Sequence, residues 1–486
     1  MTKYQNLNQQ YIAGAWKPGS ENNNIDDYNP YDQSIVATFK SAGLKDLDEA
    51  YNAARKAQEA WAKTLPQTRS DIMTKAANII EQRKDEIADI MTKECGSTVI
   101  KRAIELQIGI NIIREAASFP TRQHGYIFDS FTPGKESRVY RKPLGVIGVI
   151  SPFNFPFNLS LRSVATALAV GNAVVLKPAS ETPIIGGTII GKIFEEAGLP
   201  KGVLNVVVGK ASLIGDPFVE HPIPKLISFT GSTPVGTNLA KLAAGQLKKT
   251  SLELGGNNVF IVMDDADIDR AVEASVFGKF LHQGQICMSI NRIFLQEKIF
   301  DSFKEKFIAK VKKLKFGDPA DKDVLIGPLI DEKAVNRILK SIDASVTRGA
   351  KVETGGKAKG NVLEPTVMTG VKNDYPIAHD EIFGPVAPLI SFKTVEEVLA
   401  MANEINYGLS GALHTSNVEK GVEIARQITT GMIHINDQSV NDEPNAPFGG
   451  EKGSGLGRFN GEFIIEEFST LQWVTIQHEK RDYSPF

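Results

Sequence analysis

"GVIGVIS", Gly145–Ser151, decides the fold. It is a short, β-branched run without a charge, apolar on both faces, and it reads as a strand buried on both sides. Outward from it the same kind of run recurs: "AVVLKP" from Ala173, "LNVVVG" from Leu204, "KLISFTG" from Lys225 and "NNVFIVM" from Asn257, with helical stretches between them. Continuous apolar strands alternating with helices imply a parallel sheet with crossover helices, the doubly wound α/β class. Ligands on such sheets sit beyond the carboxyl ends of the strands, so the residues closing each run matter most.

Toward the N-terminus, Leu47, Ala50, Ala54, Ala57 and Trp61 recur at helical spacing. A second helix is expected to carry Ile72, Ala76, Ile80, Ile87 and Met91, with Cys95 continuing that face just before the stop signal Gly96. Cys95 therefore reads as core. Toward the C-terminus, "RIFLQ", "VAPLISF", "GALHT" and "GMIHIND" suggest a second α/β unit after about Gly256. Between Gly125 and Lys142 two alternating runs flank Thr132-Pro133-Gly134, a hairpin signal, and "LQWVTIQ" is an isolated strand near the C-terminus. These pieces can pair with each other and with a second subunit, since exposed edges invite addition. The glycine-dense "GGEKGSGLGRFNG" from Gly449 follows no strand and reads as a mobile loop near the active site.

A chain of 486 residues exceeds one ordinary core and is expected to be multi-domain. With 55 Lys+Arg against 57 Asp+Glu and a net charge of -2, it lacks the electrostatic footprint of a partner for nucleic acid or anionic membrane. "MTKYQNLNQQ" has no apolar h-region, and the longest apolar run is broken by Arg162 and Asn172, so neither signal peptide nor membrane span is expected. Two distant cysteines make no disulfide framework, and the expected setting is a reducing one, the cytoplasm. Seven scattered histidines with no H-E-x-x-H or C-x-x-C argue against metal chemistry, and no G-x-S-x-G elbow supports a serine hydrolase.

Three residues could carry covalent chemistry. Cys287, in "HQGQICMSINR", follows a helical stretch from Ile268 to about Leu281 and precedes "RIFLQ", a loop position where backbone N–H groups can point at the sulfur. It reads equally as nucleophile or spacer. A nucleophilic thiol there needs a base or a positive dipole. Glu253, where a buried strand stops at Gly255-Gly256, is a base candidate with a pKa raised by desolvation, or else a capping glutamate. Asn154, in a turn set by Pro152 and Pro156, is an oxyanion donor or an ordinary turn residue. In "FTGSTPVGTNLAK", Gly231 and Gly236 stand around Ser232 and Thr233 before a helix, an anion site at a helix N-terminus. Lys177 closes its strand where a dinucleotide fold often has an acid, and a lysine there can bond ribose hydroxyls or a 2'-phosphate.

"SPFNFP", "LKPAS", "FTGSTPVG", "LELGGNN", "GQICMS", "EIFGPV" and "PFGG" occur in this order. Together they resemble the NAD(P)-dependent aldehyde dehydrogenase superfamily, over nearly the whole chain. The resemblance implies Cys287 as nucleophile, Glu253 as general base, and Asn154 with the Cys287 backbone as oxyanion hole. For the cofactor, NAD or NADP, it implies Pro152, Phe153, Lys177, Ser180, Gly231, Ser232, Gly236, Leu254, Glu381 and Phe383. It further implies a cofactor domain (1–121 and 143–254), a catalytic domain (255–467) and a β oligomerisation arm (122–142 and 468–486) in a homodimer or homotetramer. Two departures stand out: Phe153 replaces the usual tryptophan, and Ser180 stands where NAD-selective members often carry glutamate, Glu181 lying one residue on. Loss of that carboxylate points to dual cofactor use.

The stretches "FNFPFNLSLRSVA" and "LKPASETP" most resemble the benzaldehyde and vanillin dehydrogenase branch. That implies an aromatic aldehyde held by Phe155, Asn158, Arg162, Ile286, Met288 and Phe448, with Arg162 meeting a ring hydroxyl or acid or making a structural ion pair. The alternatives are a CoA-acylating dehydrogenase, against which Glu253 argues, and a non-catalytic binding or structural protein on the same fold.

Overall fold

Eight strands build the first sheet, in the order Ala15–Lys17, Gln10–Ile12, Leu204–Val206, Ala173–Lys177, Val146–Ile150, Leu226–Thr230, Lys249–Glu253 and Gly455–Leu456. The five strands from Leu204–Val206 to Lys249–Glu253 are mutually parallel. Chain order runs outward from Val146–Ile150 in one direction and then resumes at Leu226–Thr230 in the other. The carboxyl ends of those two strands therefore flank a topological switch point, the crevice where such sheets bind ligands. The computed structural model describes residues 3–484. Residues 1–2 and 485–486, the outer ends of the expected first and last segments, lie outside the described residues.

The helices that matter for the site are α1 (Leu44–Ala62), α2 (Pro66–Gln82), α3 (Lys84–Cys95), α4 (Val99–Arg122), α5 (Pro156–Val170), α6 (Ile189–Ala197), α7 (Ala211–Glu220), α8 (Thr233–Ala244) and α9 (Ile268–Phe280). One expectation fails here: the stretch from Ile72 to Cys95 is two helices, not one. Arg83, at φ -107 and ψ 13, leaves the helical region between them. Ile80 and Ile87 lie seven residues apart, two turns of a continuous helix, so the apolar pattern passes over the break unmarked. Cys95 does end α3 in the core, with Gly96 beyond it at φ 62, a left-handed C-cap that glycine adopts without a Cβ clash.

"NNVFIVM" opens a second sheet. Seven strands run in the order Lys351–Thr354, Thr366–Thr369, Val386–Phe392, Ile290–Gln296, Asn258–Val262, Gly411–His414 and His434–Ile435. All are parallel except the first, which pairs antiparallel at the edge. The expected hairpin is Tyr126–Asp129 with Lys135–Pro143, and Ser469–Gln477 joins it in an antiparallel three-stranded arm over nine register pairs. The Gly449 stretch is not a free loop. Glu451–Lys452 pairs with Tyr407–Gly408, and Gly455–Leu456 adds to the Lys249–Glu253 edge with Gly455 opposite Glu253. Side-chain patterning cannot reveal such strands, because backbone pairing of glycines needs no side chain. Phe448, Phe459, Ile464 and Phe468 pack in the same cluster as the first sheet, so the chain recrosses to that core before entering the arm. Among the described residues no helix is long and apolar enough to cross a membrane.

Candidate active site

Beyond α9 the chain turns sharply: His282, Gln283 and Gly284 lie at φ 49, 56 and 73. Two glutamines hold this left-handed stretch. The Gln283 Oε1 accepts the Gly327 N–H at 3.0 Å while its Nε2 donates to the Pro328 carbonyl at 2.8 Å, and the Gln285 Oε1 accepts the Ile330 N–H at 3.0 Å. The Cys287 carbonyl accepts from the Asn258 Nδ2 at 2.7 Å. A Cβ on Gly256 would stand 2.3 Å from that carbonyl, so only glycine lets the two segments meet. The thiol reaches a cavity. Its pKa is pushed up to about 12, first by burial and then by the Glu253 and Glu381 carboxylates, against the opposing charge of Arg162. The site thus supplies no depressed thiol; activation rests on a base.

Glu253 is that base candidate. It ends its strand 1% exposed, and neither carboxylate oxygen has a hydrogen-bond partner. Burial pushes its pKa well up, while Arg162 and Arg458 oppose the shift. Asn154 is also buried, and its Nδ2 donates to the Gln285 carbonyl at 2.9 Å. That uses one of two amide hydrogens and leaves the other for a ligand.

At the switch-point crevice the polar groups are of the kind a dinucleotide needs. Lys177 closes its strand in a buried position, and burial lowers its pKa against the charge of Glu181. Ser232 caps α8 without a side-chain bond to the helix N–H groups, which leaves that N-terminus open to an anion. Glu381 accepts the Gly256 N–H at 3.0 Å through Oε1 and keeps Oε2 unpartnered; burial pushes its pKa up to about 7, against that bond and Arg337. A buried ammonium, a half-satisfied carboxylate and a bare helix N-terminus match ribose hydroxyls and a pyrophosphate. Phe383, at φ 51, presents its ring to the edge of Phe153 at 6.0 Å. Pro152 and Ser180 are half-buried at the ends of their strands. Gly231 stays in the loop, but Gly236 lies within α8 rather than before it: a Cβ there would meet the Leu254 side chain at 2.3 Å, so it serves close packing of helix on strand end.

All six residues expected around a substrate, Phe155, Asn158, Arg162, Ile286, Met288 and Phe448, line one cavity together with Cys287 and Asn154. The cavity measures about 70 Å³. One water needs roughly 10–15 Å³, so the cavity has room for several waters or a small ligand. Arg162 is paired with Asp442 and stacked 4.1 Å over Phe448. Its Nε and Nη1 have no partner, and neither has the Asn158 Oδ1.

The aldehyde dehydrogenase family model matches residues 16–474. The chain belongs to the aldehyde dehydrogenase family. It is 51% identical over 483 residues to a benzaldehyde dehydrogenase, YfmT, of Bacillus subtilis, covering 99% of this chain and 100% of that one. It is 49% identical over 468 residues to a vanillin dehydrogenase of Corynebacterium glutamicum, covering 96% and 97%. The crystal structure of an NAD-dependent benzaldehyde dehydrogenase from Corynebacterium glutamicum superposes with a TM-score of 0.90 at 45% identity, covering 97% and 98%. This aldehyde dehydrogenase therefore oxidises an aldehyde with NAD or NADP, and it closely matches the benzaldehyde and vanillin branch.

Several residues of the dehydrogenase's site escaped the sequence reading. Asp442 is the ion-pair partner of Arg162, and Ile104 and Ile108 bring α4 to the cavity wall. Arg458 acts on Glu253. None has a local signal, because each acts across a contact between distant segments. The glycine density around Gly457 is the one visible hint that backbone closes on the Glu253 strand there.

Proposed function

We propose that this aldehyde dehydrogenase oxidises aromatic aldehydes to carboxylic acids through a covalent intermediate on Cys287. The single observation that carries this reading is the shared cavity: thiol, Asn154 amide and two aromatic walls, Phe155 and Phe448, line the same space. Aromatic side chains bind a flat ring by stacked or edge-on contact. The unpaired Arg162 donors and Asn158 acceptor suit a polar ring substituent.

In the mechanism Glu253, whose raised pKa makes it a competent acceptor, takes the Cys287 proton. The thiolate adds to the carbonyl carbon, and the electron pair of the C=O moves to oxygen. The Asn154 amide and the Cys287 backbone N–H hold that oxyanion. Bound NAD(P)+ supplies the acceptor for the hydride released as the C=O re-forms. Lys177, Ser180 and Glu381 would hold ribose hydroxyls, Gly231 and Ser232 would present the pyrophosphate site, and Pro152, Phe153, Leu254 and Phe383 would shape the crevice. Glu253 releases that first proton to solvent; water then attacks the thioester while Glu253 takes its proton, and the Cys287 thiolate leaves the new acid and is reprotonated by Glu253. Ser180 removes one carboxylate that would repel a 2'-phosphate, which favours use of both cofactors, although the charge of neighbouring Glu181 is felt at Lys177.

The exposed side chains of the arm, Ile127, Phe131 and Trp473 among them, favour a second copy of the chain as their cover, through the segments 122–142 and 468–486. Two free thiols, Cys95 and Cys287, favour a reducing compartment such as the cytoplasm.

The test is one aldehyde panel run with NAD+ and with NADP+, with and without CoA. The expected result is a kcat/KM for benzaldehyde and its hydroxylated derivatives at least about tenfold above that for short aliphatic aldehydes, activity with both cofactors, and acid formed without CoA. A preference for the aliphatic aldehydes sinks the substrate assignment, failure of NADP+ at saturation sinks dual use, and a CoA requirement turns the enzyme into an acylating one.

A further inference from the structure

Two charged side chains line the cavity beside the Cys287 thiol: Arg162 of α5 and Asp442 of the loop after Val440. They form an ion pair, and their side chains are only 3% and 4% exposed. Both ends of the pair are held. The Arg162 guanidinium is stacked 4.1 Å over the Phe448 ring and stands 5.9 Å from the Phe459 ring centre. The second Asp442 oxygen, Oδ1, accepts the Asn460 Nδ2 at 2.9 Å, and the same amide donates to the Glu443 carbonyl at 2.9 Å. A pair fixed in this way meets a ligand as a unit.

A buried arginine without a partner is a receptor for carboxylates. Arg162 is different, because Asp442 already takes its Nη2 and cancels its charge. A substrate carboxylate would therefore arrive as a surplus negative charge, in a space where the thiol already feels Glu253, Glu381 and Asp442 against Arg162. Burying a charge without a free counter-ion costs far more than burying a neutral dipole. What the pair leaves over is hydrogen-bonding capacity without net charge: the donors Arg162 Nε and Nη1, and the acceptor Asn158 Oδ1, none of which has a partner. Four residues apart on α5, Asn158 and Arg162 share one face of the helix. A hydroxyl supplies both missing halves, lone pairs to accept and a proton to give.

We propose that Asp442 is a specificity-determining residue: by cancelling the Arg162 charge it makes the cavity take aldehydes whose ring bears a neutral hydroxyl and refuse those bearing a carboxylate. Arg162 donates to the hydroxyl oxygen, and the Asn158 Oδ1 accepts its proton. This rests on the aromatic-aldehyde reading and deepens it from a polar substituent to an uncharged one.

The experiment compares kcat/KM within pairs of matched shape at neutral pH, on the full-length enzyme. 3-Carbamoylbenzaldehyde against 3-carboxybenzaldehyde reads charge, and 3-hydroxybenzaldehyde against 3-methylbenzaldehyde reads hydrogen bonding. The parent is expected to favour the carboxamide over the carboxylate, and the hydroxyl over the methyl, each at least about tenfold. Asp442→Asn keeps the shape and strips the charge, so the carboxamide-to-carboxylate ratio should fall at least about tenfold. Any effect of Asp442 transmitted through Glu253 cancels in that ratio, since both members of a pair use the same base. Arg162→Met with Asp442→Asn removes both charges together and leaves no lone buried ion; its hydroxyl-to-methyl ratio should drop to about one or below.

A parent that takes the carboxylate as readily as the carboxamide overturns the charge role, and so does an Asp442→Asn ratio equal to the parent's. A hydroxyl advantage absent from the parent, or persisting in the double variant, overturns the hydrogen bond from Arg162. The two parent ratios need no variant and decide the proposal even where a variant fails to fold. The anionic 4-oxobutanoate and its neutral methyl ester repeat the charge test without a ring. If short aliphatic aldehydes outrun benzaldehyde while the ester still outruns the anion and Asp442→Asn closes that gap, the aromatic reading fails and the charge role of Asp442 stands.

Discussion

Cys95 and Cys287 lie in apolar surroundings, and burial raises the pKa of both. Charge does not separate them either: Lys101 opposes the shift at Cys95, and Arg162 opposes it at Cys287. What separates them is what each thiol can reach. Cys95 ends α3 at 1% exposure, closed in by core packing. Cys287 opens on a cavity that also holds the Asn154 amide, and its charge neighbour Glu253 has two oxygens with no partner. A nucleophile is thus marked by space for a substrate and by an acceptor left unsatisfied, not by the acidity of the resting thiol. Leaving a buried carboxylate unpaired is costly in a purely structural role, so the cost points to chemistry.

The largest expected effect breaks or secures that contrast directly. Cys287→Ala should lower NAD(P)H formation by more than about a thousandfold, because a covalent step has no substitute group, while cofactor binding by fluorescence stays intact. Cys95→Ala should remain within about twofold of the parent in kcat and show only a modest loss in Tm. If Cys95→Ala is the inactive variant, the contrast is inverted.

Glu253→Gln sharpens the same contrast from the side of the base. Steady turnover should fall about 10²- to 10⁴-fold, the usual worth of a general base. Removal of the carboxylate also takes away a charge that holds the thiol protonated, so hydride release is less affected than hydrolysis. The expected trace is one equivalent of NAD(P)H per active site followed by a slow phase, with an acyl group on the peptide Gly284–Arg292 by mass spectrometry. A proportional loss of both phases would mean that the chief work of Glu253 is taking the Cys287 proton rather than activating water.

Much of this architecture was legible along the chain because it is written locally. A run such as "GVIGVIS" carries its burial on its own side chains, and Glu253, Cys287 and Asn154 each stand where an element ends, a position that sequence patterning marks. The Gly449 stretch was misread because its two short strands are made by backbone pairing to Tyr407–Gly408 and to the Glu253 strand. The break at Arg83 was missed because seven residues keep helical phase across it. Arg162 left two readings open, ligand contact or ion pair, and the structure shows the ion pair; its partner, Asp442, is a loop residue 280 positions away. Lys101 and Glu105, a buried ion pair on α4 whose carboxylate accepts the first N–H groups of α5, carry no local signal either, because their partners lie across the packing of α4 on α5.

The smallest effect is thermodynamic and tests whether burial raises the Glu253 pKa in the fold. In the unfolded chain its carboxyl titrates near 4.3; in the folded chain burial holds its pKa well above the ordinary value. Unfolding therefore releases a proton at any pH between the two, and stability contributed by the neutral group is lost as pH rises above about 4.3 toward the folded pKa. Glu253→Gln has no such proton to release. Its Tm should exceed the parent's by a wider margin at pH 8 than at pH 5 in thermal melts. Cys287 provides the control within the comparison: its folded pKa near 12 lies above an unfolded value of about 8.5, so both states keep the proton through most of that range. Cys287→Ser should accordingly shift Tm by nearly the same amount at both pH values. A Glu253→Gln margin that is equally flat would mean that the Glu253 pKa is not raised in the fold, with Arg162 and Arg458 outweighing its burial.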